Sequence, residues 1–201
     1  MNLGRIRLIL WLLVGLVAIA GLIIALRGPP ASREIVSSQS MSEIGGPFLL
    51  TGSDGQPFSS ERLAGKPYAL FFGFTHCPDV CPTTLARLAK LRKQVGKGDD
   101  AFAIVLVSVD PERDTPAEMA RYAGLFGTPV IALTGSTPAI EGIKALFGIT
   151  AEKVPQPGAD YTVDHTATTF LMDAQGKFAA TISPNEGDEA ALAKLKRLTS
   201  T

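Results

Sequence analysis

Apolar residues follow two patterns along this chain, one long uninterrupted run near the N-terminus and shorter periodic segments after it. Residues 8–26 form a run of 19 without a charged side chain. As a helix rising 1.5 Å per residue, the run would extend roughly 28 Å, about the hydrocarbon thickness of a bilayer. The pattern predicts a transmembrane anchor at 8–26, preceded by a short cytoplasmic N-terminus at 1–7.

Positive charges before this run indicate its orientation. Arg5 and Arg7 precede it, and such charges favour the cytoplasmic side, so we expect the soluble part on the periplasmic side of the inner membrane. The Ala-Ile-Ala triplet at 18–20 resembles a signal-peptidase site, which leaves cleavage open as an alternative. Residues 27–46 contain Pro, Gly and Ser with little apolar periodicity, and we interpret them as a tether to a domain at 47–201.

The domain itself alternates buried apolar runs with amphipathic segments. Residues 68–74 and 102–109 are largely apolar, which is typical of strands buried on both faces. Between them, apolar residues recur at spacings of three and four within 82–95, which predicts a helix. The other expected elements are strands at 48–51, 56–59 and 130–133, helices at 116–126, 136–147 and 189–198, and a hairpin at 168–182.

The order of these elements predicts an α/β fold, in which a mixed central sheet has helices on both faces. Ligands in such sheets bind beyond the carboxyl ends of the parallel strands, here near Thr75 and Asp110. The formal net charge is zero, so the chain lacks the basic excess by which proteins attract nucleic acid, and we expect no such partner.

Two cysteines, Cys77 and Cys81, directly follow the first buried strand. At positions i and i+4 of a first helical turn, their side chains would lie on one face, with Cβ atoms about 5–6 Å apart. The positive potential of a helix N-terminus favours thiolates, which form a disulfide or bind a soft metal ion. A disulfide across so short a loop removes little chain entropy. We therefore favour redox or metal chemistry over a structural disulfide.

Three separate segments contain the most distinctive sequence patterns of the domain, namely FGFTHCPDVCP at 72–82, VSVDPERDTP at 107–116 and YTVDHT at 161–166. In content and order they resemble the Sco/SenC family of copper chaperones. The resemblance implies a thioredoxin-like fold and a copper ion, Cu(I) or Cu(II), bound by Cys77, Cys81 and His165. It also implies assembly of the dinuclear copper centre of cytochrome c oxidase, with the copper-bearing oxidase subunit and a periplasmic copper donor as partners.

The coordination chemistry agrees with this ligand set, because thiolates favour Cu(I) and imidazole suits Cu(II) as well. The loop at 151–161, rich in Pro and Gly, is expected to bring His165 over the helix N-terminus. The other histidine, His76, adjoins Cys77, and ligands adjacent in sequence seldom point at one ion. Asp164 either orients the imidazole as an outer partner or caps the loop.

Two other functions would use the same cysteines. A thiol–disulfide oxidoreductase would reduce the cysteines of the copper site or of other envelope proteins. General thioredoxin-type reductases carry C-x-x-C and a cis-proline before the strand facing the dithiol, whereas residues 164–170 contain no proline. A peroxiredoxin would need Thr-x-x-Cys, and Thr75 stands only two residues before Cys77. We predict a metallochaperone, with the oxidoreductase as the alternative.

Overall fold

The computed structural model describes residues 44–158 and 160–200, together with the single positions 11 and 15. Apart from positions 11 and 15, the anchor expected at 8–26 lies outside the described residues, as does most of the tether expected at 27–46. None of the helices in the described part of the chain combines the length and apolar character that a membrane span requires. The fold belongs to the unit Ser40–Thr201.

The strands of the described residues form one large mixed sheet and one small hairpin. They are β1 (Leu49–Gly52), β2 (Pro57–Ser59), β3 (Tyr68–Gly73), β4 (Ala103–Ser108), β5 (Ile131–Thr134), β6 (Ala151–Pro155), β7 (Tyr161–His165), β8 (Thr169–Met172) and β9 (Phe178–Ile182). Seven strands form the sheet in the order β2-β1-β5-β4-β3-β8-β9, and β6 pairs with β7 in the hairpin. β3, β4 and β5 are parallel to one another, and every other pair is antiparallel.

Four α-helices connect or follow these strands, and their beginnings agree with the capping residues in the sequence. They are α1 (Val80–Val95), α2 (Pro116–Ala123), α3 (Thr137–Phe147) and α4 (Asp188–Leu198). The Thr115 side chain caps α2 by accepting from the amide of Glu118, and the Ser136 side chain caps α3 by accepting from Ala139. A proline in the first turn of each helix loses no needed hydrogen bond.

Consecutive residues of β3 show that helices cover both faces of the sheet. The ring of Phe72 packs edge-on against Phe147 of α3, with centroids 5.5 Å apart. Side chains alternate along a strand, so Phe71 and Gly73 face the opposite side. On that side a Cβ added at Gly73 would lie 2.9 Å from the sulfur of Cys81 in α1. The expected α/β architecture, a mixed sheet between helices, is therefore confirmed.

The segment at 151–161 was expected to be a loop, and this expectation is wrong. Its first five residues form β6, which pairs in register with β7 from Ala151↔His165 to Pro155↔Tyr161. The connection between the two strands contains Gly158, which adopts a φ of +91° that favours glycine. Four of the five β6 residues are exposed, so the strand lacks the apolar alternation by which strands are identified in a sequence.

Candidate metal centre

Both cysteines lie between β3 and the first turn of α1, at the carboxyl end of a fully buried strand of the large sheet. Cys81 occupies the first turn of α1 and has no exposed surface, whereas Cys77 precedes the helix and is partly exposed. The expectation that both lie in the first turn is therefore correct only for Cys81. The N-terminus of α1 still faces Cys77, because the backbone amide of Cys81 donates a hydrogen bond to the sulfur of Cys77 at 3.4 Å.

The two thiols differ strongly in acidity. A hydrogen bond from the Cys81 thiol, assisted by the backbone amides of Cys81 and Asp79, lowers the pKa of Cys77 to about 4 against the opposing effect of burial. The same hydrogen bond, followed by burial, raises the pKa of Cys81. At neutral pH the metal-free pair therefore holds one proton, with Cys77 as the thiolate and Cys81 as the thiol.

His165 is the last residue of β7, and its ring faces the two sulfurs. Its Nε2 atom lies 3.6 Å from the sulfur of Cys81, and its Nδ1 atom lies 3.1 Å from the carbonyl oxygen of Thr166. A carbonyl only accepts, so in the neutral ring Nδ1 carries the proton and the Nε2 lone pair points to the sulfurs. Phe71 and Phe74 pack edge-on around the imidazole, with centroids 6.0 and 5.8 Å away.

These three side chains form a compact set of possible metal ligands. Their donor atoms all lie within 4.8 Å of one another. Three ligands arranged at about 120° around a soft ion, at about 2.3 Å from sulfur and about 2.0–2.1 Å from nitrogen, lie roughly 3.8–4.0 Å from one another. Movements of at most about 1 Å would therefore close the cluster around one ion. Two sulfurs and one imidazole suit copper or zinc.

Asp164 was expected to orient the imidazole of His165, but a backbone carbonyl does so instead. Asp164 is exposed, and side chains of successive residues leave a strand on opposite faces, so its carboxylate is directed away from the side that presents His165. The Thr166 carbonyl is the partner of Nδ1 instead. His76 also stays outside the cluster, because its Nδ1 atom contacts the Thr75 hydroxyl at 3.0 Å.

A buried carboxylate that the sequence analysis missed supports the thiol turn. Asp114 has no exposed surface and accepts hydrogen bonds of 2.6 Å from the hydroxyls of Thr75 and Ser108. Burial raises the pKa of Asp114, and these hydrogen bonds oppose the shift. The carboxylate thereby ties the turn before Cys77 to the end of β4. The sequence did contain an indication of this role, because charged residues cluster at 110–114 directly after a buried strand.

An open cleft of about 450 Å³ adjoins the cluster and gives access to it. Both Cys77 and His165 line it, beside apolar side chains that include Phe74, Val80 and Val154. A small ion or a partner's ligand can therefore reach the sulfur of Cys77 and the imidazole without opening the core.

Comparison with known proteins identifies the family of the domain. The sequence profile described as SCO1/SenC matches residues 36–200. This chain belongs to the SCO1/SenC family. A SCO2-like protein of Rickettsia felis is 33% identical over 181 residues, which is 88% of each chain.

Solved structures of SCO1/SenC proteins have the same fold. Copper-bound ScoI of Bradyrhizobium japonicum is 42% identical, with 77% of this chain and 99% of that chain covered and a TM-score of 0.70. BsSco, described as a cytochrome c oxidase assembly protein with a disulfide switch, is 25% identical, with 79% and 95% covered and a TM-score of 0.62. The resemblance inferred from the three sequence segments is thus confirmed.

In this SCO1/SenC domain the three segments meet at one place. The first, 72–82, contributes the sulfurs of Cys77 and Cys81. The third, 161–166, contributes His165. The second, 107–116, lies between them and contributes Asp114, whose carboxylate holds the turn that precedes Cys77.

Proposed function

We propose that this protein binds one copper ion through Cys77, Cys81 and His165 and delivers it for assembly of the dinuclear copper centre of cytochrome c oxidase. The observation that carries the proposal is the grouping of two sulfurs and one imidazole nitrogen within 4.8 Å. Family relationship supports the choice of metal, because the B. japonicum relative was solved with copper bound. Copper is the cargo of such a site.

The donor set suits a cargo ion that must be both held and released. Two thiolates favour Cu(I), and the imidazole also accommodates Cu(II). The low pKa of Cys77, about 4, means that at neutral pH binding has to displace only the proton of Cys81. His165 belongs to a different element from the cysteines, so the third bond can break without disturbing the sulfur pair.

We further propose that residues 8–26 anchor the protein in the inner membrane, with the domain on the periplasmic side. The uncharged run of 19 residues supports this assignment. A flexible tether over 27–46 would have a root-mean-square length of about 25 Å. That reach would let the domain approach both a periplasmic copper donor and the copper-bearing subunit of the oxidase.

Competitive titration with a copper chelator tests the ligand assignment. We expect one copper per reduced chain, and His165→Ala should weaken binding by at least about tenfold, because losing even an outer partner of a ligand costs that much. His76→Ala is the matched control, since it removes the other imidazole of the chain and should leave affinity unchanged. Equal affinities for the wild type and His165→Ala would overturn the assignment.

A second candidate function, thiol–disulfide oxidoreductase, is favoured by the position of Cys77, which is partly exposed and accepts a hydrogen bond from the Cys81 amide at 3.4 Å. These contacts lower the pKa of Cys77 to about 4, whereas the pKa of the buried Cys81 is raised. The Cys77 thiolate would attack a partner disulfide, forming a mixed disulfide and releasing one partner thiolate. The sulfur of Cys81, passing its proton to that thiolate, would then form the Cys77–Cys81 disulfide and release the second partner sulfur. Two electrons would pass from this protein to its partner.

Cells that lack the protein distinguish the two functions. Copper delivery predicts low oxidase activity that added copper partly restores. Restoration by a membrane-permeant reductant, without any effect of copper, would favour the oxidoreductase instead.

A further inference from the structure

The hairpin that carries His165 is fastened to the domain by a buried carboxylate. Asp110 lies two residues after Ser108, the last residue of β4, and has no exposed surface. Its Oδ1 atom accepts from the hydroxyl of Tyr161 at 2.8 Å, and its Oδ2 atom accepts from Nε of Arg113 at 2.5 Å. Tyr161 begins β7. If the hairpin opened, Asp110 would keep Arg113 but lose the Tyr161 hydroxyl, and leaving one buried oxygen without its partner costs free energy.

Arg113 extends the same attachment onto the backbone of the hairpin. One of its terminal nitrogens donates to the carbonyl of Tyr161 and to the carboxylate of Asp160, both at 3.0 Å. Its guanidinium also lies 3.7 Å from the centroid of the Tyr161 ring, in a cation–π arrangement. The planar fork and the stacking are specific to arginine, since a lysine supplies only a point charge.

A second contact reaches the hairpin from the same segment after β4. The Lys153 ammonium on β6 lies 4.6 Å from the Tyr161 ring and pairs with the Glu112 carboxylate at 2.6 Å. Asp110, Glu112 and Arg113 therefore all direct their charges to the hairpin. The same stretch of chain also supplies Asp114, which holds the thiol turn through Thr75, so it spans both parts of the candidate site.

The attachment lies at the opposite end of β7 from His165. At about 3.3 Å per residue, four steps along the strand separate Tyr161 from His165 by roughly 13 Å. His165 itself lies at the end where the hairpin joins the domain, since the Thr166 amide donates to the Thr150 carbonyl at 3.1 Å just beyond it. Without the contacts at Tyr161, β7 would be free to tilt about this junction and to turn the imidazole away from the sulfurs. The contacts at Tyr161 hold the far end of the hairpin and thereby fix the direction in which β7 presents Nε2 to the sulfurs.

We propose that Asp110, Arg113 and Tyr161 form a hairpin latch that positions His165 against the two sulfurs and so sets the affinity for copper, although none of the three is a ligand. The inference rests on the proposed copper-binding function. It assigns to the VSVDPERDTP segment a role in aligning the third ligand with the other two.

A double-mutant analysis of copper affinity tests the latch. Tyr161→Phe removes only the hydroxyl that binds Asp110, and Arg113→Lys removes the fork and the stacking. We expect each to weaken binding by about tenfold, the lower range for an outer partner of a metal ligand. In the His165→Ala background neither should have a further effect, because the latch acts through that imidazole. Tyr68→Phe, at the other end of β3, is the matched control and should leave affinity unchanged.

Two results would overturn the latch. One is unchanged affinity in both Tyr161→Phe and Arg113→Lys. The other is an equal loss of affinity with and without His165, which would mean that these residues act on the cysteines or on folding in general.

Hydrogen exchange of the metal-free protein keeps the test independent of copper. Tyr161→Phe should speed exchange of the β7 amides by about tenfold and leave the β3 and β4 amides unchanged. If the wild type bound no copper, the proposed function would fail, and exchange would still decide whether the latch holds the hairpin. Unchanged β7 exchange in both latch variants would count against it.

Discussion

The two parts of the candidate site differ in how firmly the fold holds them. Cys81 lies in the core, next to a strand, β3, that is buried over its whole length and pairs on both sides. His165 lies on a hairpin whose strands, in the described part of the chain, pair only with each other. The sulfurs therefore lie in or against the hydrophobic core, whereas the imidazole belongs to a hairpin outside the large sheet.

This difference is suited to a protein that must give up what it binds. Regions with few buried apolar contacts open at a smaller free energy than the core, so the imidazole can leave while the sulfur pair stays in place. A site with all three ligands in the core would need global unfolding or a strong competitor to release its ion. The four predictions that follow test the contrast between the thiol junction and the hairpin.

The largest effect is expected from removing one core sulfur. Cys81→Ser should weaken copper binding by more than about 100-fold, because a serine hydroxyl is a hard ligand that stays protonated at neutral pH. The loss should exceed that of His165→Ala in the same chelator titration. Circular dichroism of the variant provides the folding control. If Cys81→Ser and His165→Ala bound copper with equal affinity, the sulfur of Cys81 would contribute no more to binding than the imidazole does.

The two thiols should also differ in reactivity. With a pKa of about 4, Cys77 is ionised throughout pH 5.5–8, so its alkylation by iodoacetamide in the reduced, metal-free protein should hardly change with pH. An unperturbed thiol with a pKa of about 8.5 would lose about 100-fold in thiolate between pH 8 and 6. Cys81, buried and with a raised pKa, should react only after unfolding. Peptide mapping by mass spectrometry measures both, and a tenfold fall per pH unit at Cys77 would contradict the assignment.

A single methyl group at the thiol junction should show how tightly it is packed. A Cβ at Gly73 would lie 2.8 Å from the Phe71 ring and 2.9 Å from the Cys81 sulfur. Gly73→Ala should therefore lower the free energy of unfolding by about 1–3 kcal/mol, the usual cost of overpacking, and weaken copper binding. Denaturant titration measures the free energy of unfolding.

Gly142→Ala is the matched control for this substitution. Gly142 lies within α3, and nothing approaches an added Cβ within 4 Å. The variant should raise the free energy of unfolding by about 0.5–1 kcal/mol, the helix preference of alanine over glycine. A Gly73→Ala protein as stable as the wild type would mean that the junction is looser than the structure indicates.

The contrast also explains what the sequence could and could not predict. The thiol junction follows from local patterns, since residues 68–74 are continuously apolar and the spacing of Cys77 and Cys81 brings the sulfurs together. The hairpin gives no such pattern, because β6 is exposed and its side chains need not alternate in polarity. The Nε2–sulfur contact joins residues 84 apart in the chain, and only the family resemblance indicated it.

The groups that contact the three ligand side chains from outside are harder to predict from the sequence. The carbonyl of Thr166 binds Nδ1 of His165, and a carbonyl is present at every residue, so no side chain marks its place. Asp164 was the natural expectation because carboxylates often orient metal-bound imidazoles. The buried ion pair of Asp110 and Arg113 was missed for a related reason, since charged residues next to a strand more commonly face solvent. The membrane anchor at 8–26 stays a prediction.

The smallest effect, and the most direct measure of the contrast, concerns hydrogen exchange with and without copper. In the metal-free protein, β7 amides should exchange through local opening of the hairpin, and β3 amides only through global unfolding. If opening removes His165 from the ion, thermodynamic linkage requires that bound copper resist opening by the same factor by which His165 strengthens copper binding. Copper should therefore slow β7 exchange by at least about tenfold.

The equality of two independent measurements makes this a sharp test. The slowing of β7 exchange should match the loss of affinity in His165→Ala, and the slowing should disappear in that variant although it still binds copper through both sulfurs. A slowing that persists without His165 would mean that copper acts on the hairpin through the cysteines, and no slowing would mean that the imidazole stays bound when the hairpin opens. In either case the third ligand would not be the detachable one, and release would have to begin at the sulfurs.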